Sequence, residues 1–184
     1  KALPIYSVLT LSATGSEMDP FAVISDMSKN EKWGTSSEHM KPKMSILDPE
    51  YTYSVSKKQT AAGTADMISH ICENYFTNVK NADVQARFAE GLLKNCFKYG
   101  PIALEEPDNY DARANLMWTA SMAINGILSD GAEVSWCVHP MEHELSAFYD
   151  ITHGEGLAIL TPHWMDFALN DDTASKFADY ARNV

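Results

Sequence analysis

The sequence is poor in positive charge and has no long apolar run, and each shortage excludes a class of protein. Its 184 residues hold 14 Lys and Arg against 25 Asp and Glu, a formal net charge of −11. Binding to phosphate backbones or acidic membrane surfaces depends on clustered basic residues, so a nucleic acid partner is not expected. No apolar run approaches the roughly 20 residues of a membrane-spanning helix, so no membrane association is expected either.

Cysteine is also scarce. The three cysteines form no CxxC pair, and an odd number cannot all pair with one another. This excludes a disulfide framework and a zinc ribbon, and it favours a reducing, cytoplasmic location. Hydrophobic residues make up 45% of the chain, which is enough for the core of one domain, or of one domain and part of another.

The chain divides into a β-like start and a helical remainder, with a boundary expected near Val55. Short apolar runs at 5–11, 21–24 and 44–47, separated by Gly and Pro, predict short strands and loops. Helical spacing then predicts six helices, at 57–76, 83–99, 111–126, 134–148, 156–167 and 173–183. Ser56 with Gln59 matches a capping box at the first helix, and Gly100-Pro101 predicts the end of the second.

Asp66 and His70 are four residues apart in the first predicted helix. This spacing directs both side chains from one face, where a carboxylate and an imidazole could bind one metal ion. The same spacing also occurs in simple surface pairs, and the pair alone leaves both readings open.

Three of the six histidines, His139, His143 and His153, lie within fifteen residues of one another. His139 and His143 share a helix face, and His153 precedes glycines that would allow the chain to fold back towards them. The alternative is a partly buried helix with solvated histidines. With Asp66 and His70, these residues offer a mixed nitrogen and oxygen ligand set that suits Zn(II), Fe(II) or another first-row ion.

Four segments together give the chain a family resemblance. They are SATGSEMDPFAVISD (12–26), ILDPEYT (46–52), GTADMISHICENY (63–75) and HPMEHELSAFYDITHGEGLAIL (139–160). In this order they resemble the signature segments of iron-containing (group III) alcohol dehydrogenases, with the butanol dehydrogenase-like branch most similar.

The resemblance implies a site. It makes Asp66, His70, His139 and His153 the ligands of one divalent metal, Fe(II) or Zn(II), and places His143 near the nicotinamide as a candidate for proton relay or substrate positioning. It also implies that Thr10, Thr14, Gly15 and Lys32 contact the dinucleotide, NAD or NADP in the intact enzyme. Thr10 as a mere strand residue and Lys32 as a solvated turn charge are the alternatives for two of these.

The resemblance also implies a mainly α fold. We expect a helical metal-binding domain of the dehydroquinate synthase-like/iron alcohol dehydrogenase fold at 55–184, truncated at its C-terminus. The last short β-strands of a truncated α/β dinucleotide-binding domain would precede it at 1–54. The glycine-rich turn that cradles the pyrophosphate in the family has no counterpart here. We therefore expect the chain to be an internal fragment of a longer protein.

The implied function is hydride transfer between a primary alcohol or aldehyde and NAD(P). Glycerol dehydrogenase or dehydroquinate synthase-like chemistry is an alternative within the superfamily, and a catalytically silent helical module is an alternative outside it. Trp136, Met67 and Phe148 are candidates to line the substrate pocket, and a homodimer is expected by resemblance.

Overall fold

The structure, a computed structural model, describes residues 2–77, 79–132 and 134–184. Within these residues, short strands come first and helices follow, which confirms the expected mainly α fold. The strands are β1 (Tyr6–Val8), β2 (Phe21–Asp26), β3 (Glu31–Ser36) and β4 (Met44–Ile46). After a 3-10 turn at Pro49–Thr52 come α1 (Lys57–Tyr75), α2 (Asp83–Glu105), α3 (Tyr110–Ile124), α4 (Val138–Tyr149), α5 (His153–Ala168) and α6 (Ala174–Asn183). The domain boundary near Val55 stays a prediction.

The strands form two small sheets. β1 pairs with β4 in parallel, and β2 pairs with β3 as an antiparallel hairpin. β3 was not predicted, because Trp33 is the only large apolar side chain in Glu31–Ser36. A turn connects β3 to β2, and in this turn the Asp26 carboxylate accepts hydrogen bonds from the Ser28 amide and hydroxyl. The pairing with β2, rather than an apolar pattern, therefore forms this strand.

Helix α1 is the centre of the helical part and contacts α2, α3, α4 and α5. Its N-terminus is the predicted one, since the Ser56 hydroxyl accepts a hydrogen bond of 3.2 Å from the Gln59 amide. One face of α1 joins α2 and α3 in the apolar core, where Ile71, Leu93 and Leu116 are buried. The opposite face carries polar side chains towards α4 and α5.

The predicted end of α2 at Tyr99 was wrong, because the helix continues through Gly100 and Pro101 to Glu105. A proline inside a helix costs one backbone hydrogen bond and strains the preceding turn. Packing outweighs this cost here: Gly100 lies against Thr64 of α1, and Ala103 is buried in the core. No helix formed by the described residues is both long and apolar enough to cross a membrane.

Candidate metal centre

Asp66 and His70 lie on the polar face of α1 and are almost completely buried. His70 Nε2 lies 3.5 Å from Asp66 Oδ1. A buried carboxylate and a buried imidazole on successive turns are unusual for a surface pair, because ionisable groups are rarely removed from water without a partner. The solvated-pair alternative is therefore contradicted by their burial.

The two histidines from the later segment approach the same carboxylate oxygen. His139, at the start of α4, places Nε2 3.5 Å from Asp66 Oδ1. His153, the first residue of α5, places Nε2 3.6 Å from the same atom. The structure thus brings together all four side chains that the sequence proposed as ligands.

The turn between α4 and α5 determines where His153 lies. Helix α4 ends at Tyr149 and is capped by Asp150, which has a φ of 50° in the left-handed region, and α5 begins three residues after this cap. Gly154 then lies directly on the backbone of Ala62 in α1. This close approach fixes the start of α5, and with it His153, beside Asp66.

The donor atoms fit a divalent metal ion. Ligands bound at about 2.1 Å in a tetrahedron are separated by about 3.4 Å, which is close to the distances from the three imidazole nitrogens to Asp66 Oδ1. The donor atoms of Asp66, His139 and His153 also lie within 4.8 Å of one another, whereas His70 joins this group through its approach to Asp66. Among the described residues, six buried side-chain atoms have no hydrogen-bond partner, and Asp66 Oδ1 and His139 Nε2 are two of them. Buried polar atoms are normally satisfied, so these two are explained by a ligand that binds both.

The burial and close approach of these groups shift their pKa values. Burial alone would raise the pKa of Asp66, but the surrounding histidines outweigh it and hold the pKa below its ordinary value. Burial lowers the pKa of His70 to about 4. Burial would also lower the pKa of His139, but its contacts with Asp66 and Glu73 raise it to about 9. A bound cation is the species that would be stabilised by this carboxylate and these imidazoles together.

Two further carboxylates, Glu73 and Glu142, contact the outer nitrogens of the candidate ligands, and sequence reasoning missed both. Glu73 Oε1 contacts His139 Nδ1, and Glu142 Oε2 contacts His153 Nδ1. Both carboxylate side chains are completely buried. Carboxylates in this position orient metal-binding histidines and increase their basicity.

A cavity of about 680 Å³ opens beside the four side chains and is lined by His70, His139 and His153. His143 also lines it, with its ring centroid 5.6 Å from that of His153. Burial, followed by the nearby positive charge of Lys32, lowers the pKa of His143 to about 4. His143 is therefore a neutral imidazole at pH 7.

The residues proposed to contact the dinucleotide are placed differently from one another. Thr14 lines the cavity, whereas Thr10 is exposed and lines none of the cavities described. Gly15 is buried against α3 with a φ of 70°, and a side chain there would meet the Ala120 carbonyl oxygen at 2.8 Å. Gly15 therefore has a structural reason to be glycine, independent of any cofactor.

Lys32 also lines the cavity, but its amino group is directed to the buried carboxylate of Glu142. Lys32 Nζ lies 3.5 Å from Glu142 Oε2, and only 15% of the lysine side chain is exposed. The alternative of a solvated turn charge is therefore contradicted. This ion pair connects β3 to the carboxylate that contacts His153.

Of the three expected pocket residues, the structure places one at the cavity. Trp136 lines it and contacts both His70 and His139 edge-on, at centroid distances of 6.1 and 5.3 Å. The expectation was wrong for Met67, which is 1% exposed in the core, and for Phe148, which is 63% exposed and lines none of the cavities described. Apolar helix residues are more often core or surface than pocket, and sequence spacing did not separate these cases.

Asp19 lies on the same cavity and provides a pH-dependent prediction. Burial raises the pKa of Asp19 to about 6, so between pH 3.8 and 6 the folded state holds a proton that the unfolded state has lost. Stability should therefore fall as the pH rises through this window. In the metal-free protein, we expect Asp19→Asn to raise the melting temperature at pH 7.5 and to change it little at pH 4. Asparagine retains the oxygen that accepts the Phe21 amide hydrogen bond of 2.8 Å. An equal shift at both pH values would contradict the prediction.

Comparison with known proteins gives the chain its family. The model of the iron-containing alcohol dehydrogenase C-terminal domain matches residues 60–184, and the iron-containing alcohol dehydrogenase model matches residues 1–49. NADH-dependent butanol dehydrogenase A of Clostridium acetobutylicum is 62% identical over all of this chain and 47% of its own length. An NADPH-dependent aldehyde reductase of Escherichia coli is 42% identical over all of this chain and 47% of its own length.

The structural comparison agrees with the sequence comparison. The crystal structure of NADH-dependent butanol dehydrogenase A from Thermotoga maritima matches with a TM-score of 0.95 and 43% identity, over all of this chain and 46% of that one. The chain thus spans about half the length of the relatives it matches. Two family models together match nearly all of the sequence, and the chain belongs to the iron-containing alcohol dehydrogenase family.

Proposed function

We propose that the protein containing this chain is a metal-dependent alcohol dehydrogenase or aldehyde reductase, which transfers hydride between a primary alcohol and NAD(P). The observation that carries the proposal is the convergence of three imidazole nitrogens on Asp66 Oδ1 at 3.5–3.6 Å beside an open cavity. Similarity to a butanol dehydrogenase and an aldehyde reductase supports a primary alcohol or its aldehyde as the substrate class.

Asp66, His70, His139 and His153 would hold the ion, either Fe(II) or Zn(II). When bound, it supplies Lewis acidity to the substrate oxygen, while the nicotinamide supplies the redox chemistry. Oxygen-only sites suit Ca(II) or Mg(II), whereas a site with three imidazoles suits a first-row transition metal.

The chain itself orients the substrate and limits its contact with water. Trp136 provides an apolar wall next to His70 and His139 in the same cavity. Lys32 and Thr14 line the cavity and remain candidates to contact NAD(P), while the geometry favours Thr10 and Gly15 less for that role.

His143 is proposed to relay the proton of the substrate hydroxyl, directly or through one water molecule. Its low pKa of about 4 makes it a weak base that does not store a proton at pH 7. A neutral imidazole can still accept a hydrogen bond at one nitrogen and donate one at the other. A neutral imidazole that passes a proton from one partner to the next fits this low pKa better than a general base that keeps the proton.

We expect His143→Gln in the full-length protein to lower kcat by about 100-fold or more, because a positioned proton-transfer group contributes about that factor. Glutamine can hydrogen-bond but cannot exchange a proton as imidazole does. The pH profile of kcat should change, while metal content and melting temperature should stay near those of the parent. Unchanged turnover with an unchanged pH profile would remove His143 from the mechanism.

Assays of the full-length protein test the proposed function. Purified protein reconstituted with Fe(II) or Zn(II) should oxidise butan-1-ol and reduce butanal with NADH or NADPH, and removal of the metal should abolish both activities. Preference for glycerol, or lyase chemistry without net redox change, would favour the other branches of the superfamily. Failure to bind one equivalent of metal would favour a catalytically silent module.

A further inference from the structure

Glu73 lies on the same face of α1 as the two candidate ligands of that helix. Asp66, His70 and Glu73 are at positions i, i+4 and i+7, which bring side chains to one face over two helical turns. The Glu73 side chain has no exposed surface. A carboxylate buried so completely requires partners, and those that the described residues provide belong to the start of α4.

Three backbone amides at the N-terminus of α4 donate hydrogen bonds to the Glu73 carboxylate. Glu73 Oε2 accepts hydrogen bonds from the amides of Cys137 at 2.6 Å and Val138 at 2.9 Å. Glu73 Oε1 accepts one from the amide of His139 at 3.2 Å and also contacts His139 Nδ1. Cys137, the residue before the helix, makes no side-chain capping bond of its own. A residue of α1 therefore performs the capping of α4, where a negative charge is favourable.

We propose that Glu73 is a positioning residue that holds His139 of α4 beside Asp66 and His70 of α1 and so assembles the metal centre. By accepting a hydrogen bond from His139 Nδ1–H, it keeps a proton on Nδ1, so that Nε2, 3.5 Å from Asp66 Oδ1, is the nitrogen available to bind an ion. By accepting the first amides of α4, it fixes the same helix to α1. The inference rests on the proposed function, because it assigns the carboxylate a role in holding the ion.

The groups around the Glu73 carboxylate are N–H donors, so replacing one carboxylate oxygen by an NH2 group would disturb this role. All four contacts of Glu73 are satisfied by acceptor oxygens, so an amide nitrogen at either position would face an N–H donor. Glutamine at this position would lose a capping bond, and it would donate to His139 Nδ1 if its nitrogen replaced Oε1. The imidazole proton would then move to Nε2, the atom that must bind the metal.

Glu142 offers a matched control with a different donor pattern. Its Oε2 contacts His153 Nδ1 and Lys32 Nζ, while its Oε1 contacts the Ser146 hydroxyl. A hydroxyl can accept as well as donate, so glutamine with its nitrogen towards Ser146 keeps a partner for every contact. Glu142→Gln therefore removes the charge and preserves the tautomer of His153.

A second control separates loss of stability from loss of positioning. Asn109 Oδ1 caps α3 by accepting the Ala112 amide at 3.0 Å, in a helix that carries none of the candidate ligands. Asn109→Ala should lower the melting temperature of the metal-free protein without altering the metal site. The Zn(II) affinity of this variant shows how much the loss of a helix cap alone changes metal binding.

The test measures the Zn(II) affinity of the purified full-length protein and three variants by competition with a chromophoric chelator. The temperature is one at which circular dichroism shows that each metal-free protein is folded. We expect Glu73→Gln to weaken Zn(II) binding by about 10–100-fold, the usual effect of losing a carboxylate partner of a ligand histidine. Glu142→Gln should weaken Zn(II) binding clearly less than Glu73→Gln does, and Asn109→Ala should bind Zn(II) as the parent does. The Co(II) absorption spectrum should change in Glu73→Gln alone.

Three results would overturn the inference. Parental affinity in Glu73→Gln would remove Glu73 from the site while leaving the metal centre itself intact. An equal or larger loss in Glu142→Gln would show that charge, rather than the donor pattern at Glu73, controls binding. A full-length parent protein that binds no Zn(II) would overturn both this inference and the proposed metal centre, and so marks the failure of the proposed function.

Discussion

Asp66→Asn should abolish stoichiometric metal binding. The three candidate histidine ligands all approach one oxygen of this carboxylate, which is buried and has no hydrogen-bond partner among the described residues. An amide is neutral and a much weaker ligand, so the site would lose its only anionic donor and the charge that attracts the cation. We expect Zn(II) affinity to fall by more than 100-fold.

Thermal unfolding with and without Zn(II) measures this loss. At a free metal concentration of about 100 times the Kd, binding stabilises the folded state by about 2.7 kcal/mol. For a chain of this size that corresponds to about 5–10 °C in melting temperature. The parent chain should show this increase, and Asp66→Asn should show none.

Asp19→Asn is the matched control, because Asp19 is also a buried carboxyl group on the cavity but is not among the four converging side chains. It should retain the metal-dependent increase. An increase in Asp66→Asn equal to that of the parent would refute the ligand role of Asp66, and loss of the increase in both variants would mean that the charge of the cavity, and not one ligand, controls binding.

Local sequence patterns predicted α1, which carries two of the candidate ligands, but they placed the starts of α4 and α5 at 134 and 156 instead of Val138 and His153. The spacing of Asp66 and His70 was read as one face of a helix, and the structure has them on buried successive turns of α1. The distances that join this pair to His139 and His153 depend on the packing of three helices. Local spacing alone left that convergence open, and only the ordered family segments indicated it.

The supporting carboxylates were harder to predict. Glutamate is mostly exposed in proteins, and Glu73 in a helix reads as a solvated charge. Its position seven residues after Asp66 was the available signal, because it places all three groups on one face. Lys32, one partner of Glu142, lies 110 residues before it, so no local pattern could have found that ion pair.

The errors in the fold have the same origin, since tertiary contacts outweighed local preference. Helix α2 continues through Gly100-Pro101 because Ala103 is buried against the core beyond that pair. Gly15 was proposed as a cofactor contact, and its close packing on α3 supplies a second reason for glycine that the sequence could not show. Local signals therefore identified the elements, while packing determined their ends and their neighbours.

Gly154→Ala should disrupt the protein more than any other small substitution in α5. The Cβ of alanine would overlap the backbone of Ala62 in α1, with the Ala62 Cα only 2.8 Å away, and backbone cannot move aside as a flexible side chain can. Helix α5 would have to shift away from α1, and His153 at its first position would move with it.

We expect Gly154→Ala to destabilise the metal-free protein by about 3 kcal/mol, at the upper end for overpacking a close contact, and to weaken Zn(II) binding. Gly91→Ala in α2 is the control, because no atom lies within 4 Å of the new Cβ. It should stabilise the protein by about 0.5–1 kcal/mol through the lower flexibility of the unfolded chain and leave Zn(II) affinity unchanged. Urea unfolding measures both effects. Unchanged Zn(II) affinity in a destabilised Gly154→Ala variant would mean that the contact between α1 and α5 is not what places His153 at the metal centre.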